Sequence, residues 1–526
     1  MKHYKYKEYI SHIVPVLGYG VACGSLTGAL IFFFKLAASY LEKLSRAIYP
    51  WARSSPIRIL LLFAALAAFA LIMAFIHKLV PASKGGGIPR SEGILRGVLP
   101  FKWLATLIAT AVGSFISFFC GLPLGSEGPA VLMGTSVGSM CGNIGGKYSA
   151  WNRYVMTGGA GAGFAVATGA PLSAMLFALE EIHKRFTPML ILSVSTSVLS
   201  ATFVNYHLSN IFGVSPKLFD LGQLPAFELS HAGYLLLLGI MVAAAVGVFN
   251  VLISFFSTIT KRVEKHFPRW AMIVAMFLIT GVAGLFFSEG IYSGHHDIET
   301  VATTFLPIGY LVLLYAVRFF MMLLVTGSGA TGGIFVPTLA LGAVASSVFG
   351  QALVAIGMPS ELFTTTVFLG MCAFMGGSLR APLTATLLFV EFTGSFTGLF
   401  YVAIVIFTVN FIIEILNQKP FYDKVLDGME EEHNHGRKPR IAYFEMKVAK
   451  GAFVVGKSVR DIMWPSSSVV TEIRRGDGKK DLDHDGEKLL FPDDTVIIRC
   501  KFFDEEEIKK CLSELVGSEV FLKSEN

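Results

Sequence analysis

The stretch GSEGPAVLMG at residues 125–134, read beside its looser counterpart GGIFVPTLALG at 332–342, decides how this chain folds. Each is apolar enough to lie inside a bilayer, yet each carries Gly and Pro, residues that start a helix or interrupt one. A second pair repeats the relation: GAPLSAMLFALE at 169–180 and RAPLTATLLFVE at 380–391. The step along the chain from Pro129 to Pro337 nearly matches the step from Pro171 to Pro382, which indicates a duplicated unit. Gly- and Pro-broken hydrophobic segments at matching places in two halves point to a transporter with discontinuous helices.

Backbone that is not helical is tolerated at membrane depth only where protein buries it or where it lines a polar cavity. A helix that starts there aims free N–H groups and the positive end of its dipole at that cavity, and so holds an anion without a cationic side chain. A cation path would more naturally show acidic rings.

Composition agrees. Of 526 residues, 53% are hydrophobic and 15% charged, against about 25% charged in a soluble domain. The runs 57–76, 234–256, 272–287, 309–326 and 401–416 approach or reach the roughly 20 residues that span the hydrocarbon core. The Lys-rich start and the long first apolar run read as a membrane helix, not a cleaved leader. Net charge is +6, with basic residues gathered at 1–7, 183–185, 261–269 and after Lys419, and none in the loop 288–304. By the positive-inside rule both termini are cytoplasmic, the loop 288–304 faces outward, and the chain is a multi-pass protein of the cell (plasma) membrane. No basic stripe lies on a soluble segment, so no nucleic-acid partner is expected. Six unpaired cysteines read as small packing residues.

Four motifs follow in order: Lys84-Gly-Gly-Gly-Ile-Pro89, Gly125-Ser-Glu-Gly-Pro129, Gly333-Ile-Phe-Val-Pro337 and Lys419-Pro-Phe-Tyr422. Together they resemble the signature segments of the CLC chloride channels and transporters, over roughly residues 13–422. The resemblance implies an all-α polytopic membrane protein of the CLC fold, two inverted-topology repeats with discontinuous helices, assembled as a homodimer with one anion pathway per subunit. It implies that chloride is bound by backbone N–H groups at Gly86, Gly87, Ile88, Gly128, Gly333, Ile334 and Phe335 and by the hydroxyl of Tyr422.

Glu127 resembles the family's external gating glutamate. A carboxylate beside a helix start can occupy the place of an anion, and protonation releases it, so proton and anion binding compete. Glu181, in ALEEIHKR, matches the internal proton-transfer glutamate of antiporting members; passive channels usually lack it. The competing reading is a helix-end glutamate paired with Lys184 or Arg185, and Glu180 is the more structural of the two. The expected function is therefore secondary-active chloride/proton antiport, with no enzymatic residue, metal or cofactor. The alternatives are a passive chloride channel, a fluoride- or nitrate-handling relative, and a non-transporting sensor. The usual family form of the first motif is Gly-Ser-Gly-Ile-Pro. Gly86 lacks that serine hydroxyl, which implies weaker discrimination of chloride from nitrate unless the backbone approaches the ion more closely.

After 1–422 the composition changes. Residues 423–443 read as a linker, and 444–526 as a small cytoplasmic α+β domain with strands near 469–473 and 495–499, a turn at 476–478 and a helix over 504–515. This part resembles the C-terminal subdomain of RCK (TrkA-C) modules, which implies a regulatory domain with a small-molecule ligand. DLDHDG at 481–486 starts like a calcium loop but has Pro492 where glutamate is required. His295-His296-Asp297 and His433-x-His435 read as exposed loop residues.

Overall fold

A computed structural model describes residues 2–144, 149–219, 224–394, 396, 398–434, 439–465, 468–476, 480–481 and 486–523. The turn expected at 476–478, the loop 481–486 and His435 lie wholly or largely outside them. The duplication is visible in the order of helices. The first half runs α1 (Lys2–Arg53), α2 (Pro56–Leu79), α3 (Gly87–Arg96), α4 (Trp103–Phe119), α5 (Glu127–Ile144), α6 (Ser149–Thr168), α7 (Pro171–Phe177) and α8 (Pro188–Phe212). The second runs α9 (Ala232–Glu264), α10 (Arg269–Phe286), α11 (His295–Thr303), α12 (Ile308–Ser328), α13 (Phe335–Ala355), α14 (Phe363–Leu379), α15 (Pro382–Thr393) and α16 (Leu399–Ile415). The eight correspond in order, and the repeated sequence pairs open α5 and α13, and α7 and α15. Among the described residues, eight helical spans are long and apolar enough to cross a membrane. α14, buried along nearly its whole length, lies at the centre of the second half, whereas α2 shows apolar side chains on most of its surface, as lipid contact requires.

The halves are locked at two places. The loops before α5 and α13 form a two-residue antiparallel bridge, Gly125 N to Gly333 O at 2.7 Å and Gly333 N to Gly125 O at 2.8 Å. The chains run antiparallel there, so the two helices leave the bridge in opposite directions. The second lock is an exchange of caps. Glu391 of α15 accepts from Leu172 N and Ser173 N, both at 2.8 Å, at the start of α7. Glu180 accepts from Leu383 N at 3.1 Å and Thr384 N at 2.8 Å at the start of α15. Each half thus satisfies the orphan N–H groups of the other, with a carboxylate at the positive end of the helix.

Helix α17 (Phe421–His433) follows the second half. The segment expected as a linker is helical as far as His433 and becomes strand at Arg440. Ion pairs from Lys261 to Glu431 (2.7 Å) and from Arg269 (2.5 Å) and Lys84 (3.1 Å) to Glu432 fasten that helix to the membrane part.

The tail forms an antiparallel sheet of β1 (Arg440–Lys447), β2 (Ser468–Arg474), β3 (Lys480–Asp481), β4 (Thr495–Phe502) and β5 (Val520–Lys523), in the order β3-β2-β4-β1-β5. One helix, α18 (Glu505–Val516), is capped by Asp504, which accepts from Glu506 N and Glu507 N. The tail rests on the start of α6. Tyr154 Oη donates to Asp461 O at 2.6 Å, Arg153 donates to Met463 O at 3.4 Å, and the Phe453 ring packs edge-on against Trp151.

Candidate anion and proton pathway

Three helix starts meet at the middle of the membrane part. Gly86 caps α3, Gly87 and Ile88 begin it, Gly128 lies in the first turn of α5, and Ile334 caps α13 ahead of Phe335. Their approach depends on missing side chains. A Cβ at Gly87 would stand 2.0 Å from Gly128 O, and one at Gly333 would stand 2.6 Å from Gly128 N. Ile88, Ile334 and Phe335 are buried around the junction. α17 packs on α3, and its second residue, Tyr422, is buried; among the described residues its hydroxyl makes no hydrogen bond. The structure thus gathers Gly86, Gly87, Ile88, Gly128, Ile334, Phe335 and Tyr422 around three helix starts and one phenol, a set suited to a small anion; Gly333, expected to offer its N–H as well, spends it on Gly125 O.

Glu127 is the first residue of α5 and has 1% of its surface exposed. Ser126 Oγ donates to its Oε1 at 3.1 Å, and Oε2 has no partner among the described residues. It closes the inner end of a cavity of about 640 Å³ whose walls include Lys35, Glu42, Arg46 and His295. Lys35 Nζ donates to Val166 O at 2.8 Å, and its charge acts on Glu127. This carboxylate over a helix start does what an anion would do there, and the cavity gives it a route to water.

Glu181 lies in a single π-turn, Ala178–Ile182, that continues α7. The wider turn (His183 N to Ala178 O, 3.1 Å) separates two neighbouring carboxylates. Glu180 turns to the start of α15, while Glu181 is buried with Oε1 unpartnered among the described residues. Lys184 forms ion pairs with Glu92 at 3.2 Å and Asp423 at 2.5 Å instead of with Glu181, so the helix-end pairing weighed from sequence is not formed. Tyr422 is buried in α17, which packs on α3, the helix whose start lies at the junction.

Two features escaped sequence reading. The histidines at 295–296 are not loop residues. They open α11; His295 is half-buried on the cavity wall, and Asp297 is buried in an ion pair with Arg318 of α12. Burying an acid in a short helix needs a cation from another helix, and local sequence does not show that partner. The second is Glu92, fully buried and ion-paired with Arg96 at 2.6 Å. An acid a few residues past the Gly-Gly-Gly-Ile-Pro motif was the available signal, since charges at membrane depth are rarely idle.

Comparison with known proteins gives the same answer. Residues 68–414 match the family described as voltage gated chloride channel. The H(+)/Cl(-) exchange transporter ClcA of Vibrio cholerae serotype O1 is 31% identical over 425 residues, covering 78% of this chain and 89% of that protein. ClcA of Salmonella arizonae is 29% identical over 421 residues, 78% of this chain and 88% of that one. The crystal structure of a slow cyanobacterial Cl−/H+ antiporter superposes with a TM-score of 0.73 at 28% identity, covering 80% of this chain and 99% of the other. The match runs through both repeats and takes in the first three of the four motifs, and on that ground the chain belongs to the voltage gated chloride channel (CLC) family.

Proposed function

We propose that this protein is a secondary-active transporter that exchanges chloride for protons across the plasma membrane, with both termini cytoplasmic. The observation that carries the reading is the pair of buried carboxylates, Glu127 bordering an open cavity and Glu181 in a π-turn. The names of the similar transporters agree with it. Ser293 and His295, from the segment 288–304 that has no Lys or Arg, line the cavity with Glu127, which supports an outward orientation for it. Glu181 stands beside the basic segment 183–185 and the tail domain, which supports the opposite face.

In this reading chloride sits against the N–H groups at the starts of α3, α5 and α13 and against the Tyr422 hydroxyl. Ionised Glu127 competes for the same positive helix end. When Glu127 takes a proton it loses that advantage and yields to an anion. Glu181 takes protons from the cytoplasmic side and passes them toward Glu127. Nothing is made or broken except hydrogen bonds and O–H bonds, so the cycle needs no metal, organic cofactor or enzymatic residue. The motif resemblance supports a homodimer with one pathway per subunit. The tail, 444–526, fits an RCK_C-like regulatory domain for a small-molecule ligand, joined to the transport domain 1–422 through α17 and the short segment after it.

The test is chloride efflux from proteoliposomes with external pH recorded at the same time. A chloride gradient that drives protons uphill in the opposite direction is the expected result. Chloride movement without proton movement would establish the channel reading instead.

A further inference from the structure

We propose that Lys184 is a positioning residue for proton exchange: by holding Glu92 and Asp423 in one ion-pair cluster beside Glu181, it sets how readily Glu181 loads and unloads its proton. This rests on the antiport reading.

Lys184 lies three residues past Glu181 with φ of 53°, in the left-handed region that a side chain disfavours. What its ammonium reaches offsets that cost. It stands 2.5 Å from Asp423 Oδ1 and 3.2 Å from Glu92 Oε1. Glu92 has no exposed surface and is held from its other side by Arg96. One lysine therefore joins three elements: the turn that carries Glu181, the helix α3 whose start faces the anion path, and the helix α17 whose second residue is Tyr422.

Glu181 is buried, and the charged groups around it include Lys184, Glu92, Asp423 and Glu180, one cation and three acids. Glu180 is committed to the N–H groups of α15, and Arg96 faces Glu92. From α6, Arg153 and Tyr154 face His183 and Arg185 instead. In each cycle a proton passes from cytoplasmic water to one oxygen of the Glu181 carboxylate, leaving it neutral, and later departs as the negative charge returns. The charged state is tolerable among three other acids because Lys184 is there. Without Lys184 the proton is held and release becomes the slow step.

The experiment compares wild type, Lys184→Met and Lys184→Arg in proteoliposomes, measuring chloride and proton flux against the pH on the Lys184 side. In Lys184→Met chloride flux persists, the proton-to-chloride ratio falls, and the pH of half-maximal proton flux rises by about one to three units, the range an opposite charge nearby commands. Lys184→Arg restores the wild-type profile. If Lys184→Met does not fold, Asp423→Asn reports the same cluster, with the half-maximal pH moving down because one acid has gone. A half-maximal pH that stays fixed, with both fluxes falling in proportion, makes Lys184 a mere tether and overturns the proposal. Wild-type protein that moves no protons overturns the antiport reading instead, and shows it without any variant.

Discussion

The two repeats differ where the chemistry lies and agree where the structure is held. Aligned on their prolines, Glu127 at the start of α5 corresponds to Phe335 at the start of α13, and Glu181 after α7 corresponds to Phe392 in α15. Both phenylalanines are buried, at 0% and 3% exposed. Glu180 and Glu391 correspond as well, and each caps the helix of the other half. A feature present in both repeats serves the joint between them. In the proposed mechanism the unmatched carboxylates Glu127 and Glu181 stand in the pathway. The duplication supplies two positive helix ends at the centre and the asymmetry decides which one carries a proton-sensitive group.

That contrast can be broken most directly at the unmatched acids. Glu127→Gln and Glu181→Gln are each expected to reduce proton flux to the background leak while chloride flux persists, since the neutral amide imitates the protonated acid. Simultaneous flux recording checks this, and proton coupling that survives either change removes that acid from the pathway.

The matched acids should behave oppositely. Glu180→Ala and Glu391→Ala each strip a helix start of its cap and are expected to destabilise the protein by about 2–4 kcal/mol. The losses should be of similar size in thermal unfolding of the purified protein. A large difference between them would mean that the exchange of caps is not a symmetric joint.

Gly86 tests whether the helix starts alone set selectivity. A Cβ there meets nothing closer than 3.7 Å, so serine fits. Gly86→Ser adds one donor to a charged acceptor and should tighten chloride binding by roughly tenfold, the equivalent of about 1.5 kcal/mol. Competition between chloride and nitrate flux reads it. An unchanged chloride preference would show that the backbone already does the work.

The effect farthest from the proposed pathway is expected at the tail. Lys457 Nζ lies against the Phe453 and Trp151 rings without a hydrogen-bond partner among the described residues, and burial pushes it down to about 6. Undocked, it keeps its ordinary value near 10.4. The undocked form therefore binds more protons between these values, so docking strengthens as pH rises from about 6 to about 10 and is weakest below 6. Hydrogen exchange at the start of α6 should show this trend, and Lys457→Met should abolish it.

Much of this was legible in the sequence because the decisive signals are local. The Gly/Pro breaks, the paired prolines and the apolar runs fixed the repeats, and β2, β4 and α18 fell within a few residues of where alternation and capping put them. The site residues named from the motifs came together at the helix starts. What sequence could not show is pairing at a distance. Glu92 with Lys184, Lys184 with Asp423, and Asp297 with Arg318 join residues whose spacing carries no period. The helix over the first part of 423–443 was missed because its charged face looks like a linker until Lys261, Arg269 and Lys84 are placed opposite it.

The Gly125–Gly333 bridge has a kinetic consequence. Two backbone hydrogen bonds and contacts with no room for a methyl group join the repeats at the point where, in the proposed mechanism, anions pass. Rocking one half against the other would break that joint in every cycle, and motions of that kind take microseconds to milliseconds. A carboxylate that swings within a fixed frame leaves that joint unbroken, so it is the less costly route to alternating access. Turnover that persists after the starts of α5 and α13 are cross-linked is the expected outcome, and turnover abolished by that cross-link would show that the frame itself opens.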